Sequence, residues 1–222
     1  MPEDRLSPLQ RQILAVLSSF DPPFTLTGGA ALAGFHLGHR STKDLDLFWR
    51  KREELGELVS EIRSRLTPRG WDVATIQSGR SFHRLRVSDA TETCVIDMVA
   101  EPFASLLEPH RVDVDGEILL VDSPHEILVN KLVALLSRSE LRDLVDIKAL
   151  LDMGGDLDRA IDEAPRKDGG FSPLTLAWLI QDFPVERLAK AAGWDTDQTS
   201  PLREFHRKLI ERLLDRGSPL DR

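Results

Sequence analysis

Cysteine is almost absent from this sequence, since Cys94 is the single one among 222 residues. No internal disulfide can form, which excludes the small secreted domains that depend on such cross-links. With 41% apolar and 30% charged residues, the chain also lacks the composition of a disordered protein. We therefore expect a folded protein with an ordinary hydrophobic core in a reducing compartment, the cytoplasm.

Long apolar runs and an excess of positive charge are missing as well. No segment approaches the roughly 20 consecutive apolar residues that a membrane span needs. The opening residues, MPEDRLSPLQ, do not pair a basic region with an apolar one, so we expect neither a secretory leader nor membrane contact. The net charge of −8 argues against whole-surface attraction to nucleic acid, although a local basic groove is compatible with it.

Two common catalytic motifs, Gly-x-Ser-x-Gly and His-Glu-x-x-His, do not occur. His36 and His39 have no cysteine or histidine partner at the spacing of a zinc site. Cys94 stands in an apolar run, which favours a core position over a nucleophile. These absences leave acidic residues and glycines as the candidates for chemistry.

Periodicity and turn residues predict an α+β first part, residues 1–122, and an all-helical second part, residues 123–222. In the first part we predict helices over 7–19, 30–37 and 53–66, strands over 24–27, 45–49, 71–76, 82–87 and 93–99, and a hairpin over 112–121 that turns at Asp115-Gly116. In the second part we predict helices over 124–137, 140–153, 157–163, 173–181, 185–192 and 202–214.

Two acids, Asp44 and Asp46, stand in an apolar strand-like run. Strand alternation places both carboxylates on one face and Leu45 and Leu47 on the other. Two carboxylates at such a short distance repel each other unless a cation lies between them. Mg²⁺ prefers oxygen ligands of this kind. The sequence therefore indicates a metal site, with a solvated strand edge or a pair of turn acids as the alternative interpretation.

The glycine pair Gly28-Gly29 precedes these acids, between a predicted strand and a short helix. Glycine lets a backbone approach a phosphate closely, and the N-terminus of the following helix offers free N–H groups. A phosphate held there, with a metal held by Asp44 and Asp46, is the arrangement that chemistry on a nucleoside triphosphate needs. A glycine pair is also a common turn, so the order and separation of the two features favour the joint site.

A third carboxylate is expected if two metal ions are bridged. Asp97, in the run TCVIDMVAEP, is the best candidate because a lone acid in an apolar strand is costly to bury. Glu92 and Glu101 are competitors at the two ends of this run. The alternative is that Asp97 faces solvent on an edge strand.

The segment GGAALAGFHLGHRSTKDLDLF resembles the nucleotidyltransferase superfamily signature, in which a glycine pair or Gly-Ser precedes Asp-x-Asp on the next strand. More specifically, it is similar to the AbiEii/AbiGii toxin family. The family's first motif is matched here by Gly28, Gly29, Ala31, Leu32, Arg40, Thr42, Asp44, Leu45 and Asp46. A second block, HEILVNKLVALLSRSELRDLVDIKALL, resembles the family at Lys131, Ala134, Leu135, Arg138, Arg142, Asp143 and Asp146.

The resemblance implies a nucleotidyltransferase fold, with a mixed sheet and helices followed by a helical bundle that closes the nucleotide cleft. It implies transfer of a nucleoside monophosphate from an NTP to an acceptor hydroxyl with Mg²⁺ or Mn²⁺. The acceptor is expected to be RNA, such as a tRNA 3′ end, and the chain a toxin with a cognate antitoxin. A protein or small-molecule hydroxyl, or a non-catalytic nucleotide-binding module, is the alternative.

One departure concerns the phosphate site. Where the wider superfamily has a hydroxyl after the first glycine, this chain has Gly29. The resemblance then implies greater dependence on backbone N–H groups, with Arg40, Thr42 or Lys43 assisting.

Lys131, four residues before Leu135 on its helix, could reach a triphosphate as a point charge. Asp143 could orient Lys131 or Arg138, or act as a general base on the acceptor hydroxyl. The alternative is a set of helix-surface ion pairs, which contribute little to the stability of the fold. The final predicted helix, with cations at Arg203, Arg207, Lys208 and Arg212, is either a solvated amphipathic helix or a basic wall for an RNA backbone.

Overall fold

The structure, a computed structural model, describes residues 5–114 and 116–218. A mixed seven-stranded sheet with helices occupies the first part of these residues, and helices occupy the second, which confirms the predicted α+β class. Contacts divide the chain into two compact units, and the boundary lies between Glu126 and Ile127. The assignment of a catalytic domain to residues 1–122 and a closing domain to 123–222 stays a prediction.

The sheet has the strand order β3-β4-β5-β2-β1-β7-β6. Its strands are β1 Thr25–Thr27, β2 Asp44–Arg50, β3 Asp72–Ser78, β4 Phe82–Ser88, β5 Thr93–Glu101, β6 His110–Val114 and β7 Glu117–Val121. β2 runs parallel to β5 and β1 runs parallel to β7, while the other neighbours are antiparallel. β6 and β7 form the predicted hairpin, although the predicted turn residue Asp115 lies outside the described residues.

Burial along β2 alternates with every residue. Leu45, Leu47 and Trp49 are buried, while Asp44 and Asp46 are only partly covered. This pattern confirms that the two acids share the face opposite to the apolar one.

Helix α1, Pro8–Leu17, begins as the sequence predicts. The Ser7 hydroxyl accepts the N–H of Gln10, and the Gln10 side chain accepts the N–H of Ser7, so two end donors are satisfied. The buried face of α1 packs against α3, Leu58–Leu66, and against β5. This packing covers the apolar side of the sheet.

Two helix starts in the first unit differ from prediction by two residues or more. Helix α2, Gly28–Ala31, includes the glycine pair instead of beginning at Ala30, because the N–H of Leu32 already donates to the carbonyls of Gly28 and Gly29. It continues as one π-helical turn, Leu32–His36. Helix α3 begins later than predicted because the N–H of Leu55 bonds to the carbonyl of Arg80 and Gly56 turns the chain with φ +54°.

Arg50, the last residue of β2, makes largely buried ion pairs with two carboxylates. Its guanidinium pairs with Glu101 at the end of β5 and lies 2.6 Å from Asp122, which follows β7. The backbone N–H of Asp122 in turn donates to the carbonyl of Leu26 in β1. These contacts hold neighbouring strand ends at fixed positions along the sheet.

The second unit is helical in all of its described secondary structure, as predicted. Its helices are α4 Pro124–Ser137, α5 Leu141–Asp152, α6 Leu157–Glu163, α7 Pro173–Ile180, α8 Val185–Ala191 and α9 Thr196–Gly217. α9 begins earlier than predicted because Asp195 and Gln198 form a capping box before Pro201. Among the described residues, no helix is both long enough and apolar enough to cross a membrane.

Candidate active site

The three predicted metal ligands come together on one face of two neighbouring strands. β2 and β5 pair in parallel register, with Asp46 opposite Asp97 and Asp44 opposite Val95. Neighbouring strands lie about 4.8 Å apart, and residues two positions apart in a strand are separated by about 6.7 Å. The competitor Glu92 instead accepts the N–H of Leu9, and Glu101 pairs with Arg50.

A cation that the sequence analysis missed lies within this cluster. Arg84 of β4 stands opposite Asp97, and its Nε and Nη2 each donate to one Asp97 oxygen at 2.6 Å. The hydrogen bonds from Arg84 to Asp97 raise the pKa of Arg84, and the charges of Asp44 and Asp46 raise it further. Alternation in β4 could have placed Arg84 on this face, but its partner follows only from strand register.

The backbone at Gly28 accommodates the Asp46 carboxylate. Gly28 has φ +64°, and a Cβ added there would lie 2.2 Å from Oδ2 of Asp46. Only glycine combines that φ with the absence of a side chain at low cost. The glycine that the sequence analysis assigned to phosphate binding therefore also makes room for a predicted metal ligand.

Gly29 lies next to two of the other predicted nucleotide-binding residues, Arg40 and Thr42. A Cβ added at Gly29 would lie 2.8 Å from Nη2 of Arg40 and 3.3 Å from Oγ1 of Thr42. The Thr42 hydroxyl also accepts the N–H of Asp44 at 3.4 Å, which links this group to the acids. The structure thus brings Gly28, Gly29, Arg40 and Thr42 together at the start of β2.

Substitution of Gly28 by alanine should reduce both stability and activity. The positive φ costs about 1–2 kcal/mol in an L-residue, and the new methyl group must displace the Asp46 carboxylate. We expect the nucleotidyl transfer that the resemblance implies to fall at least about tenfold, because a displacement of about 1 Å in a reacting group is penalised strongly. Urea denaturation and an NMP-transfer assay measure the two effects.

Gly56→Ala is the matched control, since Gly56 has φ +54° with nothing within 4 Å of an added Cβ. It should show the backbone cost without the loss of activity. Gly29→Ala should be milder than Gly28→Ala, because the contacting end of Arg40 is flexible. Equal activity of the Gly28 and Gly56 variants would contradict this role of Gly28.

The residues present suit a divalent cation in part. Asp44 and Asp46 supply carboxylate oxygens, and the Thr27 hydroxyl, opposite Asp46 in β1, is buried with no protein hydrogen-bond partner. Within residues 5–114 and 116–218, however, no three His, Cys, Asp or Glu side chains are gathered closely enough to hold a metal. Asp97 as third ligand therefore stays a prediction, and its carboxylate is held by Arg84.

Lys131 and Asp143 meet within the helical unit. Nζ of Lys131 lies 2.7 Å from Oδ1 of Asp143 and 2.8 Å from Oδ2 of Asp146, and both carboxylates are fully buried. Nε of Arg138 donates to Oδ2 of Asp143 at 2.7 Å. These contacts are not surface ion pairs, so that alternative is wrong for Lys131 and Asp143.

Two other candidates have ordinary structural explanations. Cys94 is 1% exposed, and its burial raises the pKa of the thiol to about 12, which keeps it protonated and unreactive. The four cations of α9 considered as an RNA wall each lie within ion-pair distance of a carboxylate, in the pairs Arg203–Glu186, Arg207–Glu204, Lys208–Glu204 and Arg212–Asp158. This pairing favours the solvated amphipathic helix over a basic wall.

Comparison with known proteins identifies the family. The family model described as nucleotidyl transferase AbiEii toxin, type IV TA system, matches residues 12–216. The chain belongs to the AbiEii family. The AbiEii resemblance and the enzyme class predicted from the sequence, a nucleotidyltransferase, are therefore confirmed. No curated protein matches the chain in sequence.

Solved structures share the fold of this AbiEii-family chain. JHP933 from Helicobacter pylori matches with a TM-score of 0.53 and 20% identity over 93% of this chain and 91% of its own. MenT4, a nucleotidyltransferase toxin from Mycobacterium tuberculosis, matches with a TM-score of 0.56 and 19% identity over 93% and 90%. An antigenic nucleotidyltransferase-like protein from Paracoccidioides brasiliensis matches with a TM-score of 0.51 and 18% identity over 86% and 94%. The predicted nucleotidyltransferase-like fold is confirmed.

Proposed function

We propose that this AbiEii-family protein transfers a nucleoside monophosphate from an NTP to an acceptor hydroxyl with the help of Mg²⁺ or Mn²⁺. The observation that carries the proposal is the position of Asp44, Asp46 and Asp97 on one face of the paired strands β2 and β5, beside Gly28. Carboxylates in this arrangement suit divalent cations that carry phosphate oxygens. When bound, such a cation would offset the charge that develops on the transferred phosphoryl group.

The reaction is a single displacement at the α-phosphorus. The acceptor oxygen forms a new bond to this phosphorus while the bond to the bridging oxygen of the β-phosphate breaks, and pyrophosphate leaves with the electron pair. The proton of the hydroxyl passes to a base. We propose Asp44 and Asp46 as metal ligands and Asp97 as the third acid beside them.

The triphosphate is proposed to lie along Gly28, Gly29, Arg40 and Thr42. The Arg40 guanidinium and the Thr42 hydroxyl both stand over Gly29, where no side chain blocks them. A guanidinium is well suited to phosphate oxygens because it offers paired N–H donors. These two side chains are proposed to supply the hydroxyl and charge that Gly29 lacks.

Lys131 is proposed to neutralise the triphosphate, and Asp143 to position it. Asp143 accepts hydrogen bonds from Lys131 on Oδ1 and from Arg138 on both oxygens, so both of its oxygens are engaged by cations. Of the two roles predicted for Asp143, orientation of Lys131 is therefore the one we propose.

RNA, and in particular a tRNA 3′ end, is the proposed acceptor, and a cognate antitoxin is a proposed partner in the cytoplasm. The antitoxin proposal follows the family description, which names a toxin of a type IV TA system, and the RNA proposal follows the resemblance of the sequence motifs. A protein or small-molecule hydroxyl would use the same metal chemistry. A module that binds nucleotide without turnover is the candidate from a different class.

The decisive experiment incubates the purified protein with total RNA and each labelled NTP in turn, with Mg²⁺ or Mn²⁺. A labelled tRNA band is the expected result, and its dependence on one NTP would define the base. No transfer to RNA with any NTP would contradict the RNA proposal, and the same assay with proteins and small hydroxyl compounds tests the other acceptors. Calorimetric binding of NTP without transfer to any acceptor would identify the non-catalytic module.

A further inference from the structure

The carboxylate cluster is accompanied by a cation of its own in this structure. Arg84 donates two hydrogen bonds of 2.6 Å to the two oxygens of Asp97, which is 8% exposed. Asp97 stands opposite Asp46, and Asp44 lies two residues away on the same strand face. One guanidinium therefore pairs with Asp97, and Asp44 and Asp46 lie on the same face of the sheet.

We propose that Arg84 is the resident counter-ion of this cluster and that it releases Asp97 when a divalent cation is loaded. The inference rests on the proposed metal-dependent function, but it concerns a positioning residue that the function does not define. Arg84 stabilises the metal-free protein and lowers its affinity for metal. The protein therefore carries its own competitor for the cation.

The physical argument begins with charge. Carboxylates on one sheet face repel one another, and a positive group paired with one of them offsets part of that repulsion. Arg84 provides this charge in bidentate geometry, which is the strongest form of such a pair. A divalent cation bound by Asp97 would stand next to the guanidinium, and like charges repel. Both cations therefore compete for the same carboxylate.

Arg84 is also able to leave. Its side chain is 38% exposed, so the guanidinium can move without disturbing the core. The ring of Phe82 lies 5.5 Å from Cζ of Arg84, a cation–π contact that does not involve Asp97. Release of Asp97 therefore requires a rotation of one side chain and no change in the sheet.

The chain offers a matched control on the same strand. Arg86 lies two residues after Arg84, opposite Val95, and its Nη2 lies 3.5 Å from Asp72. Arg84→Gln and Arg86→Gln therefore remove the same charge from the same strand, and only the first removes it from the cluster. Arg84→Lys keeps the charge and loses the bidentate geometry.

The test measures Mn²⁺ binding to wild type and variants by electron paramagnetic resonance of the free ion. Arg84→Gln should bind Mn²⁺ about tenfold more tightly than wild type, because one competing charge is removed. Arg84→Lys should lie between them, and Arg86→Gln should match wild type. The double variant Arg84→Gln/Asp97→Asn should lose the gain, because the competition acts through Asp97.

Thermal unfolding supplies an independent readout. Without metal, Arg84→Gln should have a lower Tm than Arg86→Gln, and saturating Mn²⁺ should remove that difference. A purely structural Arg84 would instead cause the same loss of Tm with and without Mn²⁺. Such a uniform loss, or an unchanged or weaker affinity of Arg84→Gln for Mn²⁺, would overturn the inference.

Failure of this inference can be told apart from failure of the proposed function. Equal Mn²⁺ affinities together with NMP transfer by the wild type would overturn the counter-ion role and leave the function intact. Tighter binding by Arg84→Gln without transfer by the wild type to any acceptor would support the counter-ion role and reject the function. If neither wild type nor Arg84→Gln binds Mn²⁺, the counter-ion role is rejected.

Discussion

Asp46→Asn should lower the rate of NMP transfer by about a thousandfold or more, while the fold is retained. The substitution keeps the size of the side chain but removes the charge that we propose holds the cation. A metal ion contributes several kcal/mol of transition-state stabilisation, and each 1.4 kcal/mol corresponds to a factor of ten in rate. Removal of one repelling carboxylate should leave the free energy of unfolding unchanged or slightly raised.

Single-turnover transfer and thermal unfolding of the purified variant measure the two quantities. Asp72→Asn is the matched control, because it replaces the same side chain in the same way at an exposed position of the same sheet. It should retain wild-type transfer. Full transfer by Asp46→Asn would reject the metal-ligand assignment, whereas an unfolded Asp46 variant would show that the carboxylate is needed for the fold.

Lys131→Met should destabilise the protein by about 3–5 kcal/mol, which is the usual cost of breaking a buried ion pair from one side. The ammonium lies between Asp143 and Asp146, whose side chains are fully buried. Its removal leaves these two carboxylates close together without the positive charge that they share. Urea denaturation measures the loss. Lys148→Met is the matched control, since Lys148 pairs with Asp152 on a helix surface and should cost less than about 1 kcal/mol.

The double variant Lys131→Met/Asp146→Asn separates stability from function. Removal of one charge of each sign should recover a large part of the lost stability, because no excess buried carboxylate remains. If Lys131 neutralises the triphosphate as proposed, this refolded variant still transfers little NMP. Wild-type transfer by the stable double variant would limit Lys131 to a structural role.

Local sequence signals were sufficient wherever neighbours along the chain decide the outcome. The apolar spacing of 7–19 predicts α1, and the acids of β2 alternate with buried leucines. Asp97 was selected as a candidate site residue because burial of a lone acid in an apolar strand is costly. The short helix after β1 was also predicted, with its start misplaced because glycine is a poor helix former whose carbonyls here accept the first helical bonds.

Pairings between distant segments could not be predicted in the same way. The contact of Arg84 with Asp97 depends on the register of β4 against β5, which no local pattern fixes. The contact of Lys131 with Asp146 depends on how α4 packs on α5, and helix periodicity alone places both residues near many partners. The φ of Gly28 was not predictable either, although a glycine pair permits it.

The alternation of β2 also has a consequence for the fidelity of folding. A slip of β2 by one residue would turn Asp44 and Asp46 into the core and expose Leu45 and Leu47. Burial of each unpaired carboxylate would cost several kcal/mol, so misregistered chains are strongly disfavoured. Every molecule that completes its core therefore presents both acids on the open face. The hydrophobic effect thereby selects the register of β2 that places both proposed metal ligands on the face opposite to the core, before any substrate is present.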